Sequence, residues 1–321
     1  MLNRRFLRVK VLQGLYAYHQ THETNLSQAE RQLLNDIDSL YELFIYQLSL
    51  WVEVKRFAEQ RIEENKNKIF KTEEDLNPNL KFVNNRILNE LENNKHFNRL
   101  VDTYKINWGN DRDDFVRSFY TRLQEYPEYQ EYMSNGKSSF SDDKQLLIDI
   151  IDKYLAEDDL LYDYFADRKL TFNSDYQIGL YLLWKFFHEM HADFNCDTKM
   201  PPVYVTENRE VNDDREFAVN LFRKTILHRE EFKGMIEETT SNWDYGRLAL
   251  MDKILISMAL TEFCDFHSIP VKVTINEYVE MAKFFSTAES SRFVNGILDR
   301  LSKQLAQNGR MVKIGLGLID K

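Results

Sequence analysis

Apolar residues recur at helical spacing along most of the chain. In the first twenty residues, one stripe is formed by Leu7, Val11, Leu15 and Tyr18, and a longer stripe runs from Leu33 to Trp51. Residues three or four positions apart share one face of an α-helix, so both patterns predict amphipathic helices. The same pattern recurs more briefly at Phe115–Leu123, Leu146–Leu161 and Ile178–Met190. The periodicity therefore predicts an all-α protein.

The sequence pattern of the last hundred residues predicts three further helices. Residues 250–260 are apolar almost all round, as in a helix buried at the centre of a bundle. Thr274-Ile-Asn-Glu277 and Ser286-Thr-Ala-Glu289 both have the spacing of a capping box, so each predicts a helix start. Gly296 lies within the last helix, where it costs about 1 kcal/mol relative to Ala. A close approach of a neighbouring helix would explain that glycine.

Composition indicates a soluble globular protein, with 43% hydrophobic and 29% charged residues. The formal net charge of −10 argues against indiscriminate nucleic-acid binding, which needs cationic surface. The opening helix departs from that average, because it carries Arg4, Arg5, Arg8 and Lys10 and no acid before Glu23. These cations belong either to an ordinary solvated helix start or to a binding surface.

Targeting signals are not evident in the sequence. Two cysteines, Cys196 and Cys264, form no disulfide framework and suit a reducing compartment. The opening residues do not resemble a signal peptide, and no run of 18 apolar residues predicts a membrane span. We therefore expect a cytoplasmic protein without membrane contact.

The sequence shows no established catalytic or metal-binding motif. His188 and His191 are separated by two residues rather than three, which excludes the zinc-protease geometry, and Cys196 nearby has no second ligand cluster. Phosphate-binding glycine loops, dinucleotide fingerprints and serine nucleophile turns are missing from the sequence. We therefore expect no enzymatic activity, no cofactor and no metal.

Four segments near the end of the chain resemble one protein family, NusB, the transcription antitermination factors. They are Trp243-Asp-Tyr-Gly-Arg-Leu-Ala-Leu-Met-Asp-Lys-Ile-Leu, Ile269-Pro-Val-Lys-Val, Ile275-Asn-Glu-Tyr-Val-Glu-Met-Ala-Lys and Arg292-Phe-Val-Asn-Gly-Ile-Leu. The opening Arg4-Arg-Phe-Leu-Arg-Val-Lys-Val-Leu-Gln-Gly-Leu-Tyr-Ala resembles the arginine-rich first helix of the family. Together these matches cover roughly 120 residues, in family order.

The resemblance implies a fold of two small three-helix bundles and a function in transcription. Family members bind boxA, a short single-stranded RNA element in the leaders of ribosomal RNA operons, together with a small-subunit ribosomal protein (NusE). The complex joins elongating RNA polymerase and suppresses premature termination. Some members dimerise, so a homodimer is compatible with the resemblance. The family implies a binding protein without catalytic activity.

Candidate site residues follow from the resemblance, position by position. The RNA surface would combine two groups of residues: Arg4, Arg5, Arg8 and Tyr16 on the first helix, and Glu289, Ser290, Arg292 and Phe293 at the start of the last helix. Arginine grips phosphates and aromatic rings stack on unpaired bases. Glu289 would repel phosphate, so it either accepts a hydrogen bond from a base amino group or serves as a capping residue. The ribosomal-protein surface would include Asp252 and Arg247.

The chain departs from the family in length. We assign residues 1–21 and 211–307 to the NusB-like domain, residues 22–210 to a mostly helical insertion, and residues 308–321 to a C-terminal tail. Residues 22–60 belong either to the insertion or to the NusB-like part. Two other functions remain open: an accessory domain for rRNA methylation, although no glycine-rich cofactor loop or Pro-Cys motif is present, and a protein-interaction scaffold without RNA binding.

Overall fold

The structure, a computed structural model, describes residues 2–21, 25–109, 112–136, 139–204, 214–239, 245–287 and 289–319. These residues form helices and contain no strand, which confirms the all-α prediction. In chain order the α-helices are α1 (Arg4–Gln20), α2 (Leu26–Lys66), α3 (Glu73–Leu76), α4 (Arg86–Glu92), α5 (Lys95–Thr103), α6 (Arg117–Glu125), α7 (Pro127–Ser134), α8 (Phe140–Lys153), α9 (Asp159–Ala166), α10 (Leu170–Glu189), α11 (Asp214–Leu227), α12 (Arg229–Thr239), α13 (Leu250–Asp265), α14 (Val271–Phe285) and α15 (Ser290–Gln307). A π-helical turn covers Arg112–Val116, and 3₁₀ turns cover Leu155–Glu157, Tyr245–Arg247 and Gly315–Leu318.

The chain divides into two compact units. The first comprises residues 1–37 and 204–321, and the second comprises residues 38–203, so the boundary falls inside α2. Residues 38–203 contain ten more acidic than basic residues, which is the whole formal net charge of −10, whereas the first unit contains equal numbers of each. The acidity that argued against nucleic-acid binding is therefore a property of the second unit alone.

In the first unit, α13 is the central helix. It packs against α1, α11, α12, α14 and α15. Because neighbours surround it, apolar side chains such as Leu255 and Met258 are completely buried. This arrangement confirms the buried central helix that the all-round apolar pattern predicts.

Both predicted capping boxes are wrong. Helix α14 begins at Val271, directly after Pro270, so Thr274 lies inside the helix and its hydroxyl donates to Glu262. Helix α15 begins at Ser290, and no side-chain hydrogen bond caps it. Thr274 and Ser286 are instead hydrogen-bonded to carboxylates of α13, and these bonds connect helices that are distant in sequence. The sequence also offers cap-like residues at Ser241-Asn-Trp-Asp-Tyr-Gly246, of which residues 241–244 lie outside the described residues.

Gly296 does not mark a close approach between helices. It lies on the exposed side of α15, and no heavy atom of another described element is within 4 Å of the position that a Cβ would occupy. The expectation of a helix packed against this glycine is therefore wrong.

The second unit is built on the remainder of α2 and on α3 to α10. Helix α10 packs against α8 and α9. The interior of the second unit is rich in aromatic rings. Trp51 and Phe119, for example, meet edge to face with their ring centroids 6.1 Å apart. Across the described ranges of both units, no helix is at once long enough and apolar enough to cross a bilayer.

Candidate nucleic-acid interface

Helix α1 begins with a side-chain cap that the sequence supplies. The side chain of Asn3 accepts a hydrogen bond from the backbone N–H of Phe6, at 3.1 Å, and so satisfies one of the free donors of the first turn. Arg4 follows, with its guanidinium carbon 4.9 Å from the centroid of the Phe217 ring and its Nε 3.5 Å from Asp214 Oδ1. The Arg4 side chain is 30% exposed, so its cationic group borders both the interior and the solvent.

Arg8, one turn further along, is buried. Its Nε and Nη2 donate to the two carboxylate oxygens of Glu262, at 2.6 and 2.9 Å. Glu262 is fully buried and also accepts hydrogen bonds from the hydroxyls of Thr274 and Tyr278, at 3.1 and 2.8 Å. This cluster joins α1, α13 and α14 through one carboxylate.

The electrostatics of the cluster favour a charged Arg8. Burial by itself lowers the pKa of the guanidinium, but the charge and hydrogen bonds of Glu262 outweigh it and hold the pKa above its ordinary value. Burial also raises the pKa of Tyr278 well above its usual range, helped by Glu262, so the phenol stays a hydrogen-bond donor. Arg8 is therefore placed to hold helices together, and little of its surface is available to a ligand.

Arg5 lies on the outside of the same helix. Its side chain is 56% exposed and makes a two-pronged pair with Glu277 of α14, at 2.9 and 2.7 Å. The hydrogen bonds with Glu277 raise the pKa of Arg5, and those with Arg5 lower the pKa of Glu277. Tyr16 is also at the surface, 39% exposed, and its hydroxyl accepts a hydrogen bond from Gln20 at 3.0 Å.

At the turn between α14 and α15, a second buried carboxylate gathers hydroxyl groups. Asp252 Oδ1 lies 2.6 Å from Ser286 Oγ, and its Oδ2 lies 2.9 Å from Ser290 Oγ. Thr287 Oγ1 approaches Ser290 Oγ within 2.8 Å. Both Asp252 and Ser290 are buried, so their hydrogen-bonding groups face each other and anchor the turn to α13.

The remaining predicted residues lie at or near the surface. Glu289 and Arg292 are exposed, and Phe293 is half-buried. Arg247 is exposed in the 3₁₀ turn. The neighbouring Tyr245 borders a cleft of about 450 Å³, and Lys253 Nζ lies 4.6 Å from its ring centroid.

Sequence reasoning missed an aromatic residue beside the turn. Phe284 of α14 is 81% exposed. It follows Glu277, the partner of Arg5, by seven residues, which places both on one face of the helix, two turns and about 10 Å apart. The sequence does indicate this exposure. Phe284 follows Glu277 and Glu280 at helical spacing, so it lies on the polar face of the helix.

Known proteins resemble part of this chain. The sequence profile of the NusB family matches residues 189–303, from the last residue of α10 to within α15. A protein of Salinibacter ruber, named transcription antitermination protein NusB, is 43% identical over 105 residues, which are 33% of this chain and 66% of that protein. The protein of the same name from Geobacter sulfurreducens is 41% identical over 95 residues, 30% of this chain and 69% of the relative.

The chain belongs to the NusB family. A third NusB relative, from Chloroherpeton thalassium, is 36% identical over 106 residues and is covered to half of its length. This NusB-family chain thus spans less than two thirds of the Salinibacter and Chloroherpeton proteins, and only about a third of it aligns with either. No solved structure matches.

The family match begins after α1, so the match itself does not include the arginines of the first helix. The structure brings α1 into the same compact unit as α11 to α15. In the described parts of this NusB-family chain, no group of three or more His, Cys, Asp or Glu side chains is positioned to hold a metal. His188 instead stacks on Trp184, with ring centroids 4.6 Å apart.

Proposed function

We propose that this protein is an RNA-binding transcription antitermination factor. It binds boxA-type RNA of ribosomal RNA operon leaders together with a small-subunit ribosomal protein (NusE), and the complex acts on elongating RNA polymerase. The observation that carries the proposal is the match of residues 189–303 to the NusB family, whose similar members are named transcription antitermination proteins. Its action is binding, without a chemical step.

The RNA surface in this proposal consists of the exposed members of the two predicted groups. Arg5 and Tyr16 contribute from α1, with Arg4 at the border of the interior. Arg292 and Phe293 contribute from α15, and Phe284 adds an exposed ring at the end of α14. Guanidinium groups bind phosphates, and aromatic rings stack on the unpaired bases of a single strand.

The buried members have a positioning role in this proposal. Arg8 holds α1 against α13 and α14 through Glu262, and Ser290 holds the start of α15 through Asp252. Glu289 is exposed next to Arg292, where its carboxylate discriminates between bases by accepting from an amino group. The ribosomal protein is assigned to the surface around Arg247 and the neighbouring cleft at Tyr245.

RNA-binding measurements test the proposal directly. Fluorescence anisotropy compares a labelled boxA-type RNA with a scrambled RNA of equal composition, each with and without the ribosomal protein. We expect tighter binding of the boxA-type RNA and an increase in that preference when the ribosomal protein is added. Equal affinity for the two RNAs in the presence of the partner would contradict the proposed function.

A second candidate function, protein docking by residues 38–203, is supported by charge. A groove of about 330 Å³ in that unit is lined by Ile151, Leu180, Tyr181 and Trp184, and also by the acidic residue Asp152. Aromatic faces beside a carboxylate favour lysine or arginine side chains, and the unit carries ten excess acids. We expect a lysine- and arginine-rich peptide to quench Trp184 emission in the full chain, and an acidic peptide of equal length to have no effect.

A further inference from the structure

The exposed face of α15 carries a regular pattern that the packing of the helix does not explain. Arg292, Gly296 and Arg300 follow one another at intervals of four residues and are all exposed. Residues four apart lie one above the other on a helix, so these three form a single line, which we term the Arg–Gly–Arg stripe. It extends about 12 Å along the helix axis.

Glycine at the centre of this line is unfavourable for the free protein. Helix α15 has 18 residues, and Gly296 is in its interior, where glycine is less stable than alanine. Among the described residues outside the backbone of α15, no heavy atom lies within 4 Å of the place of its missing Cβ, so a methyl group would fit there. The described residues thus give no reason for glycine at this position.

No hydrogen bond or ion pair joins either arginine of the stripe to another described residue, and the exposed Glu289 lies one turn before Arg292. The neighbouring acid, Asp299, is paired with Lys303 at 2.7 Å. The stripe therefore presents two available cations separated by exposed backbone.

We propose that the sugar-phosphate backbone of a single-stranded RNA lies along the Arg–Gly–Arg stripe and crosses α15 at Gly296. Arg292 and Arg300 hold phosphates on either side, because the guanidinium fork matches phosphate oxygens. The absent Cβ lets the strand approach the helix backbone more closely than any other residue would allow. This inference rests on the proposed RNA-binding function and adds Gly296 and Arg300 to its surface.

A second helical glycine, Gly234, differs from Gly296 in the charge of the residues around it. Gly234 of α12 also has no heavy atom within 4 Å of a Cβ position among the described residues. Its neighbours four positions away are Glu230 and Glu238, which repel phosphate. Gly234 is therefore a matched control, with the same residue type and free space but the opposite charge.

The test is Gly296→Ala, measured in the full chain by thermal denaturation and by anisotropy with boxA-type RNA and the ribosomal protein. We expect the melting temperature to rise by about 2 °C, because alanine favours the helix. We expect RNA affinity to fall at least severalfold, because the new methyl group separates the strand from the helix. Gly234→Ala should raise the melting temperature similarly and leave RNA affinity unchanged.

A second pair of variants tests the charge of the stripe without touching the glycine. Arg300→Gln should weaken RNA binding and reduce the slope of log affinity against log salt by about 0.7, the value for one phosphate contact with a single strand. Lys303 is on the same helix but is already paired with Asp299. Lys303→Gln should therefore change the slope of log affinity against log salt less than Arg300→Gln does.

Three results would contradict the proposal that RNA lies along the stripe. If wild-type protein discriminates boxA-type RNA but Gly296→Ala and Arg300→Gln bind it equally well, the RNA lies elsewhere and the proposed function survives. If the two variants weaken only binding of the ribosomal protein, the stripe belongs to that partner. If the wild type itself does not discriminate between the two RNAs, the proposed function and the stripe fail together.

Discussion

The three arginines of α1 lie within five positions and have different surroundings. Arg8 is enclosed and paired with the buried Glu262, whereas Arg5 is exposed and paired with Glu277, whose own side chain is 16% exposed. Breaking a buried pair leaves an uncompensated charge in the interior, but an exposed pair loses little because water replaces it. The same residue type therefore stabilises the fold at one position and lies exposed to solvent at another.

This contrast predicts unequal costs for two matching substitutions. Glu262→Gln should lower the free energy of unfolding by roughly 3–5 kcal/mol, because Arg8 stays buried and charged with only the more distant Glu277, at 3.9 Å, to offset its charge. Glu277→Gln should lower it by about 1 kcal/mol, because its main partner Arg5 is exposed and Arg8 keeps its closer bonds to Glu262. Urea denaturation of both variants checks the difference, and similar small losses would show that the Arg8 pair is not enclosed in solution.

Lys313 gives a prediction for pH. Its Nζ donates to the backbone carbonyls of Glu262 and Phe266, both at 3.0 Å. Burial lowers its pKa from 10.5 to about 8, although the charge of Glu262 opposes the change. Between pH 8 and 10.5 the unfolded chain binds more protons at this group, so its contribution to stability should rise with pH over that interval.

The measurement compares wild-type protein with Lys313→Gln by urea denaturation at several pH values. The difference in free energy of unfolding between the two should shift in favour of the wild type as pH rises from 8 to 10.5. A difference that stays constant with pH would show that the amine is solvated and has an ordinary pKa.

At the scale of elements, the turn between α14 and α15 depends on α13. Asp252 is held in the first turn of α13 and bonds the hydroxyls of Ser286 and Ser290 across the turn. The sequence predicted these helices from apolar stripes and misplaced their starts, because the same Ser and Thr types cap helices and pair with distant carboxylates. Only the positions of the carboxylates distinguish the two roles.

Removing that carboxylate should loosen the turn. Asp252→Ala leaves two hydroxyls without their acceptor, and we expect a loss of about 1–3 kcal/mol in the free energy of unfolding. Hydrogen–deuterium exchange should accelerate in residues 286–292 and stay unchanged in α1. Affinity for boxA-type RNA should fall as well, since Arg292 and Phe293 follow the turn. Unaltered exchange in residues 286–292 would show that Asp252 does not anchor it.

At the scale of the whole molecule, charge is divided between the units. The second unit carries the entire excess of acid, and the first is balanced. Overall net charge therefore says little about the surface that meets a ligand, because affinity for nucleic acid depends on the cations in contact with phosphate.

Because of this separation, we expect RNA affinity to fall as salt concentration rises, although the protein as a whole is acidic. If Arg4, Arg5, Arg292 and Arg300 contact phosphate, log affinity for boxA-type RNA should fall with log salt at a slope near −3. The double variant Arg4→Gln with Arg5→Gln should reduce that slope by about 1.4. Arg99→Gln, an exposed arginine of the second unit, should leave it unaltered. A slope near zero for wild-type protein would exclude phosphate contact as the source of affinity.

The sequence by itself determined the helical class, the principal helices and the family, because apolar periodicity and local motifs depend on residues near one another in the chain. It also pointed to α1 and to the start of α15. Tertiary structure decided which of those residues face solvent. Arg8, Ser290 and Asp252 turned inward because their partners, Glu262 and the hydroxyls of the turn, come from other helices. Phe284 and Gly296 became visible only as exposed positions, since exposure depends on what the rest of the chain leaves uncovered.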